Sequence, residues 1–268
     1  MTNDVRTITR HALGSEEARI LSRVGHQGSF SLADVRGLLG RRRAKHARQF
    51  VGRLLTKGWI QRIKPGRFAV IPLSSSSANP QIHEFLVAME LVKPAAIAYF
   101  SAMSHHGFTD QLPRTVFVAT DHRVARRERS ALGLAFRIVS LRKPRFFGVT
   151  QAWIDERPFL ITDKEKTIVD ALDLPRHAGG TGIVAGALRA SWNQLDEARL
   201  RRYVVRIGNS AVAKRLGFLM ETLGLGDAEA LRKVAKLAPG YSRLDPTLPP
   251  MGEHNRRWGL LVNAKIAR

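Results

Sequence analysis

Residues 41–67, RRRAKHARQFVGRLLTKGWIQRIKPGR, hold ten Lys or Arg and no Asp or Glu. A charge run of this kind is often no more than a solvated face. The spacing argues for more. At about 100° per residue, Ala44, Ala47, Phe50, Val51, Leu54 and Leu55 gather on one side of a helix. Arg41, Arg42, Lys45, Arg48, Gln49 and Gly52 gather on the other. The apolar side can bury itself, and the opposite side is a cationic ridge with a flat middle. Such a helix fits a major groove, where Arg and Lys reach guanine edges and Gln reaches adenine.

Lys57-Gly58 ends this helix, with Gly in the expected capping role. WIQRI and RFAVI then read as two short strands around the turn signal Lys64-Pro65-Gly66. Arg62, Lys64 and Arg67 fall on or beside that hairpin, suited to phosphate or minor-groove contact. Upstream, EEARILSRV repeats apolar groups at helical spacing. Ser31 and Asp34 open a second helix as N-cap and first-turn acid, and Gly40 closes it. Residues 16–71 therefore read helix, helix, basic helix, hairpin, the order of a winged helix-turn-helix. Residues 1–14 form a basic arm, and PLSSSSANP reads as a linker. The expected division is 1–73, a linker over 74–80, and a second domain over 81–268.

The second part mixes helical and strand patterns: TVFVAT and LAFRIVSL as strands, then helices near 163–174, 182–191, 196–207, 210–223 and 227–237. The expected fold class is α+β, with a small, mostly antiparallel sheet beside several helices. Four chemical constellations stand out there. His105-His106 are adjacent on a helix, project about 100° apart and lack a third ligand, so a structural role is favoured over metal binding. Asp163, Glu165, Asp170 and Asp173 could be a nuclease's carboxylates. Thr162 to Glu165 reads better as a capping box, and Asp170 falls on one helical face with Lys164 and Lys166, at ion-pair spacing. Gly179-Gly180-Thr181-Gly182 precedes a helix but lacks the Lys-Ser/Thr of a phosphate loop. Arg123, Arg126, Arg127 and Arg129 form a basic turn between strands, read as a solvated loop, a second DNA contact or a partner surface.

At 268 residues, 44% hydrophobic, the chain can build real cores. Its net charge of +22 favours a polyanionic partner, nucleic acid before an anionic membrane. Residues 1–73 carry 15 basic and 4 acidic groups, and the remainder 29 and 18, so the charge is densest at the N-terminal end. There is no cysteine, hence no disulfide and no thiolate chemistry. No signal-peptide core and no apolar run of membrane-spanning length is legible. The expected setting is the cytoplasm, at the nucleoid, without a membrane partner, a metal or a cofactor.

KPGRFAV, AAIAYFSAMSHHGFTDQLPRTVFVAT, RFFGV, ITDKEKTIVDALD and SAVAKRLGFLMETLG follow one another in an order that resembles the antitoxins of AbiEi-type (type IV) toxin–antitoxin systems. The resemblance runs over nearly the whole chain, from the helix-helix-helix-hairpin module to about residue 224 and more weakly after it. It implies a non-enzymatic winged helix-turn-helix protein that represses its own operon at inverted repeats in double-stranded DNA. It also implies a C-terminal domain that counters a co-encoded nucleotidyltransferase toxin. Two other readings stay open: a stand-alone transcriptional regulator without a toxin, and a DNA-processing nuclease.

Overall fold

The computed structural model describes residues 11–25, 28–71 and 82–267. The expected linker over 74–80 and the first ten residues of the arm lie outside them. The chain divides into two compact units. The first takes the chain up to Lys93 together with 129–135; the second takes 94–128 and the chain from 136 onward.

In the first unit the order is α1 (Ser15–Gly25), β1 (Ser29–Ser31), α2 (Leu32–Arg43), a 3-10 turn over Ala44–His46, α3 (Ala47–Thr56), β2 (Ile60–Lys64), β3 (Arg67–Val70) and α4 (Glu84–Leu91). α2 starts on a reciprocal cap. Ser31 Oγ accepts from the Asp34 N–H at 3.1 Å, and the Asp34 carboxylate accepts from the Ser31 N–H at 2.6 Å. α3 stops on Gly58, whose φ of 73° only glycine adopts cheaply. Gly58 N–H donates to Leu55 O and Trp59 N–H to Leu54 O, so the last carbonyls of the helix are answered. β3 pairs antiparallel with both β1 and β2, giving a three-stranded sheet in the order β1-β3-β2. Ile20, Phe30, Val35, Phe50, Leu54 and Phe68 fill the core. Burying each large apolar side chain stabilises by roughly 1.5–3 kcal/mol.

The first unit runs on past the expected boundary to Lys93. α4 supplies the reason. Glu90 accepts paired hydrogen bonds from the Arg67 guanidinium and a third from Ser29 Oγ at 2.9 Å.

The second unit is mixed α and β, in keeping with the α+β class. The strands that follow are β4 (Ala96–Ile97), β5 (Thr115–Thr120), β6 (Glu128–Ala131), β7 (Leu134–Ser140), β8 (Val149–Ile154) and β9 (Arg157–Thr162), with α5 (Tyr99–His105) between the first two; residues 129–135, most of β6 and the start of β7, are grouped with the first unit. The sheet order is β6-β7-β5-β4-β9-β8. β4 runs antiparallel to β5 and parallel to β9, and β8 is antiparallel to β9. Helices α6 (Lys164–Asp173), α7 (Thr181–Ser191), α8 (Glu197–Ile207), α9 (Ser210–Leu223) and α10 (Ala228–Val234) follow. A small sheet of β10 (Ser242–Arg243), β11 (Glu253–Asn255) and β12 (Leu260–Val262) closes the order. Asp163, Asp196, Asn209 and Asp227 cap α6, α8, α9 and α10 with side-chain oxygens. Gly217 on α9 makes room for the fully buried Trp258: a Cβ there would lie 2.1 Å from the indole ring.

Among the described residues, no helix is long and apolar enough to cross a membrane.

Candidate nucleic-acid interface

The basic stretch is not one continuous helix. Gly40 has φ 74° and ψ 165°, which breaks α2, and a 3-10 turn separates its end from α3. Arg41 and Arg42 therefore lie between the break at Gly40 and the 3-10 turn, Lys45 lies in that turn, and only Arg48 and Gln49 stand on the first turn of α3. The single ridge expected from the spacing is corrected to a bent edge. The buried stripe behind it holds: Ala47, Phe50, Val51 and Leu54 are all buried.

Acid partners sort the cations of this edge. Arg43 pairs with Glu16 at 2.9 Å, and Lys57 and Arg53 converge on Glu17 at 2.6 and 3.5 Å. Those hydrogen bonds and charges outweigh the cost of burial and hold the Glu17 carboxyl below the usual range. Arg41, Arg42, Lys45 and Arg48 are exposed and have no carboxylate partner among the described residues. Gln49 accepts from His46 Nδ1–H at 3.2 Å through its side-chain oxygen, which leaves its amide nitrogen without a partner among the described residues.

The hairpin residues divide in the same way. Arg62 is exposed, its guanidinium over the Phe68 ring at 5.9 Å. Lys64 is half-buried, and burial together with neighbouring cations lowers its pKa, against the pull of Glu90. Arg67 departs from its expected role. Its fork is committed to Glu90, and Asp34 lies 3.8 Å away. It fastens the hairpin to α4.

The arginines of 123–129 are divided between the two units. Arg123, Arg126 and Arg127 are exposed and belong to the second unit, whereas Arg129 falls on β6, within the 129–135 segment grouped with the first. Strand pairing thus takes part of what the sequence presents as a turn.

The remaining constellations resolve into structural roles. His106 caps α5 ahead of Gly107 and its ring Nε2–H donates to the Thr162 carbonyl at 2.8 Å. Burial keeps that imidazole neutral, below its ordinary pKa. Asp163, and not Thr162, is the N-cap of α6; it accepts from the Lys166 N–H at 2.7 Å and the Tyr203 hydroxyl at 2.8 Å. Thr162 instead bonds Thr167 Oγ1 at 2.7 Å. Glu165 turns to the Asp196 N–H at 2.7 Å and to Arg199 at 3.4 Å. Asp170 pairs with Lys166, as its spacing indicates, but both are fully buried, and that burial raises the Asp170 pKa to about 6. Asp173 takes Arg145 at 3.2 Å and Asn209 at 2.6 Å. The four carboxylates are each held by protein donors and do not converge. Among the described residues no group of three or more His, Asp or Glu is placed to hold a metal ion.

The glycine-rich entry to α7 is already filled. Asp245 accepts from the Thr181 N–H at 2.6 Å, and a Cβ on Gly180 would lie 2.9 Å from that carboxylate. Nothing near 179–182 in the sequence signals Asp245, which lies 64 residues on.

Sequence reasoning also missed a cavity of about 490 Å3 in the second unit, lined by Arg127, Arg137, Arg176 and His177 among others. These four come from three separate stretches of chain, and only Arg127 belonged to a recognisable cluster.

No model of a known protein family matches the chain, and no curated protein does. Among solved structures it is similar to the Rv2827c protein of Mycobacterium tuberculosis, at 15% identity and a TM-score of 0.68. That likeness covers 96% of this chain and 94% of the other. It establishes a shared fold.

Proposed function

We propose that this chain is a DNA-binding repressor whose first unit is a winged helix-turn-helix. The observation that carries the reading is the sorting of cations. Arg41, Arg42, Lys45 and Arg48 lack carboxylate partners at the entry of α3, while the cations around them are paired with Glu16 and Glu17. A protein that had only to remain soluble gains nothing from crowding uncompensated positive charge on one edge. A phosphate backbone compensates it and releases counterions. α3 is the reading helix, its buried stripe against the unit's core, with Arg48 and Gln49 toward base edges. Arg62 and Lys64 on the β2–β3 hairpin act as the wing and reach the backbone.

We further propose that the repressor is the antitoxin of its operon and counters a nucleotidyltransferase encoded beside it. The ordered segments from KPGRFAV to SAVAKRLGFLMETLG support this. The second unit's carboxylates, committed to caps and ion pairs, favour a non-catalytic partner over a nuclease. Two measurements test the pair of proposals. Binding of the chain to its own promoter should exceed binding to random duplex by at least about a thousandfold, the low end for specific recognition. Co-expression with the adjoining gene should restore growth; rescue by the empty vector alone, or none by this chain, overturns the antitoxin assignment.

A further inference from the structure

We infer that the cavity beside β7 is a binding site for a small polyphosphorylated molecule of about mononucleotide size. This goes beyond the reading of the first unit and does not rest on it.

The cavity lies wholly within the second unit. Arg137 reaches it from β7, Arg127 from the segment ahead of β6, and Arg176 and His177 from the 3-10 turn Pro175–His177 after α6. The Arg127 carbonyl accepts from the Ile138 N–H at 2.7 Å, which fixes its backbone beside β7. His177 N–H donates to Leu174 O at 2.9 Å, which fixes the turn. Val139 and Leu174 give the cavity an apolar side.

The charge balance is one-sided. Among the described residues the three guanidiniums have one carboxylate partner, Glu128, which pairs with Arg137 at 2.5 Å and is itself largely exposed. Arg176 donates not to an acid but to a neutral ring nitrogen, Nε2 of His177, at 3.4 Å. His177 cannot answer these cations. It is buried, with its ring edge-on to Tyr99 at 5.3 Å and tilted against Phe117 at 5.6 Å. Burial first, then Arg176, Arg137 and Arg127, push its pKa down to about 4. Three planar forks without matching carboxylates suit an oxyanion that accepts several N–H donors at once. Pyrophosphate-type groups supply such oxygens at the required charge density.

The volume sets the rest of the ligand. A lone phosphate would leave most of 490 Å3 empty, whereas that volume sits within the ~300–1,000 Å3 range of sites for small organic ligands. The apolar side at Val139 and Leu174 accommodates a ring or base. The seat is also rigid on one flank: Tyr99, against which His177 rests, holds φ 54° while fully buried, a backbone state that persists only where packing over-determines it.

The test uses the full chain with inorganic pyrophosphate and ATP as probes, by calorimetry at physiological salt. Saturable one-to-one binding is expected. Arg176→Gln and Arg127→Gln should each weaken it at least about tenfold, the effect of losing one charge-assisted contact. Arg189→Gln, an exposed charge on α7, should leave it unchanged. Each variant differs by one unit of the same net charge, so equal losses in all three would reduce the effect to bulk attraction and overturn the site. Histidine NMR gives an independent readout: pyrophosphate should raise the His177 pKa, and an unmoved His177 resonance with bound probe places the probe elsewhere. A short duplex that displaces pyrophosphate one for one, and is weakened equally by Arg176→Gln, would make the cavity part of a DNA track and overturn the small-molecule assignment. Absence of binding by both probes overturns it outright.

Discussion

The two units treat positive charge in opposite ways. In the first, carboxylates are few, and those present neutralise selected cations: Glu16 takes Arg43, Glu17 takes Arg53 and Lys57, and Glu90 takes Arg67. Arg41, Arg42, Lys45 and Arg48, left without a carboxylate among the described residues, are exposed and follow one another along one bent edge. In the second, charge goes inward and is answered there. Lys166 lies against Asp170, with its ammonium also 4.8 Å from the Phe147 ring centroid. Arg215 donates to the carbonyls of Leu172 and Arg243 from a buried position. A buried charge must be paired or hydrogen-bonded to be tolerated, and an exposed one need not be. The same residue types are therefore struts in one unit and, in the proposed function, contacts in the other. The Arg127–Arg137–Arg176 cavity departs from that inward pairing, with one carboxylate, Glu128, for three guanidiniums.

The widest contrast comes from deleting one charge on each side. Asp170→Ala strands Lys166 in the core and should cost about 3–5 kcal/mol of stability. Arg48→Ala, on the exposed edge, should stay within about 0.5 kcal/mol. Denaturant unfolding of the two variants checks this. A small loss for Asp170→Ala would mean that the pair is not held in a dry site, and the contrast between the units would collapse.

Next in size is the effect on DNA. Replacing Lys45 or Arg48 by Ala should cost roughly 1–3 kcal/mol on the operator and relax sequence preference if they read bases. Fluorescence anisotropy with operator and random duplexes measures both. Equal losses on the two duplexes, at a fixed discrimination ratio, would reduce the edge to an electrostatic footprint.

The acid limb of stability sharpens the comparison from the other side. His177 has its pKa lowered to about 4, so the unfolded chain takes up its proton first as pH falls. Its contribution is present above the ordinary histidine value of about 6.5 and is lost on descending toward 4. Asp170, raised to about 6, acts with the opposite sign: its stabilising protonation is present below about 4 and lost as pH rises through 6. The two partly cancel between pH 4 and 6. His177→Gln should therefore flatten the acid decline of the melting temperature below pH 6.5, and Asp170→Asn should steepen it. Superimposable pH profiles for His177→Gln and the unaltered chain would show that the ring titrates normally.

Much of this organisation was legible in the sequence because it is local. β5 and α9 occupy the residues their patterns mark, since alternation, 3.6-residue periodicity and caps act within one turn or one strand. The stripe Ala47, Phe50, Val51 and Leu54 was readable for the same reason. The basic ridge bends where the 3-10 turn Ala44–His46 interrupts the helical pattern, whereas Gly40 closes the preceding helix as its position indicates. The pairing of Arg67 was not legible because its partner Glu90 lies 23 residues away, beyond the expected boundary. The polyarginine cavity was invisible because β7, the 3-10 turn after α6 and the segment before β6 meet only in the folded chain. Long-range partners decide whether a cation is a strut or a contact, and spacing carries no record of them.

The smallest expected effect separates two arginines on one hairpin. Arg62 is exposed; Arg67 is tied to Glu90 and near Asp34. If Arg62 meets a phosphate, Arg62→Gln should weaken operator and random duplex alike. It should also flatten the slope of log K against log salt by about one. Its stability should be unchanged within about 0.5 kcal/mol. Arg67→Gln should do the reverse. It leaves Glu90 half-buried without its fork, so stability falls while the salt slope stays fixed. Glu90 then loses much of what holds its pKa down, and the loss in Arg67→Gln should shrink as pH falls through the carboxylate range. Binding across a salt series, with melting curves on the same variants, decides the matter. A salt slope that drops for Arg67→Gln and not for Arg62→Gln would reverse the roles, placing the phosphate contact on β3 and making the Glu90 pairing one that DNA displaces.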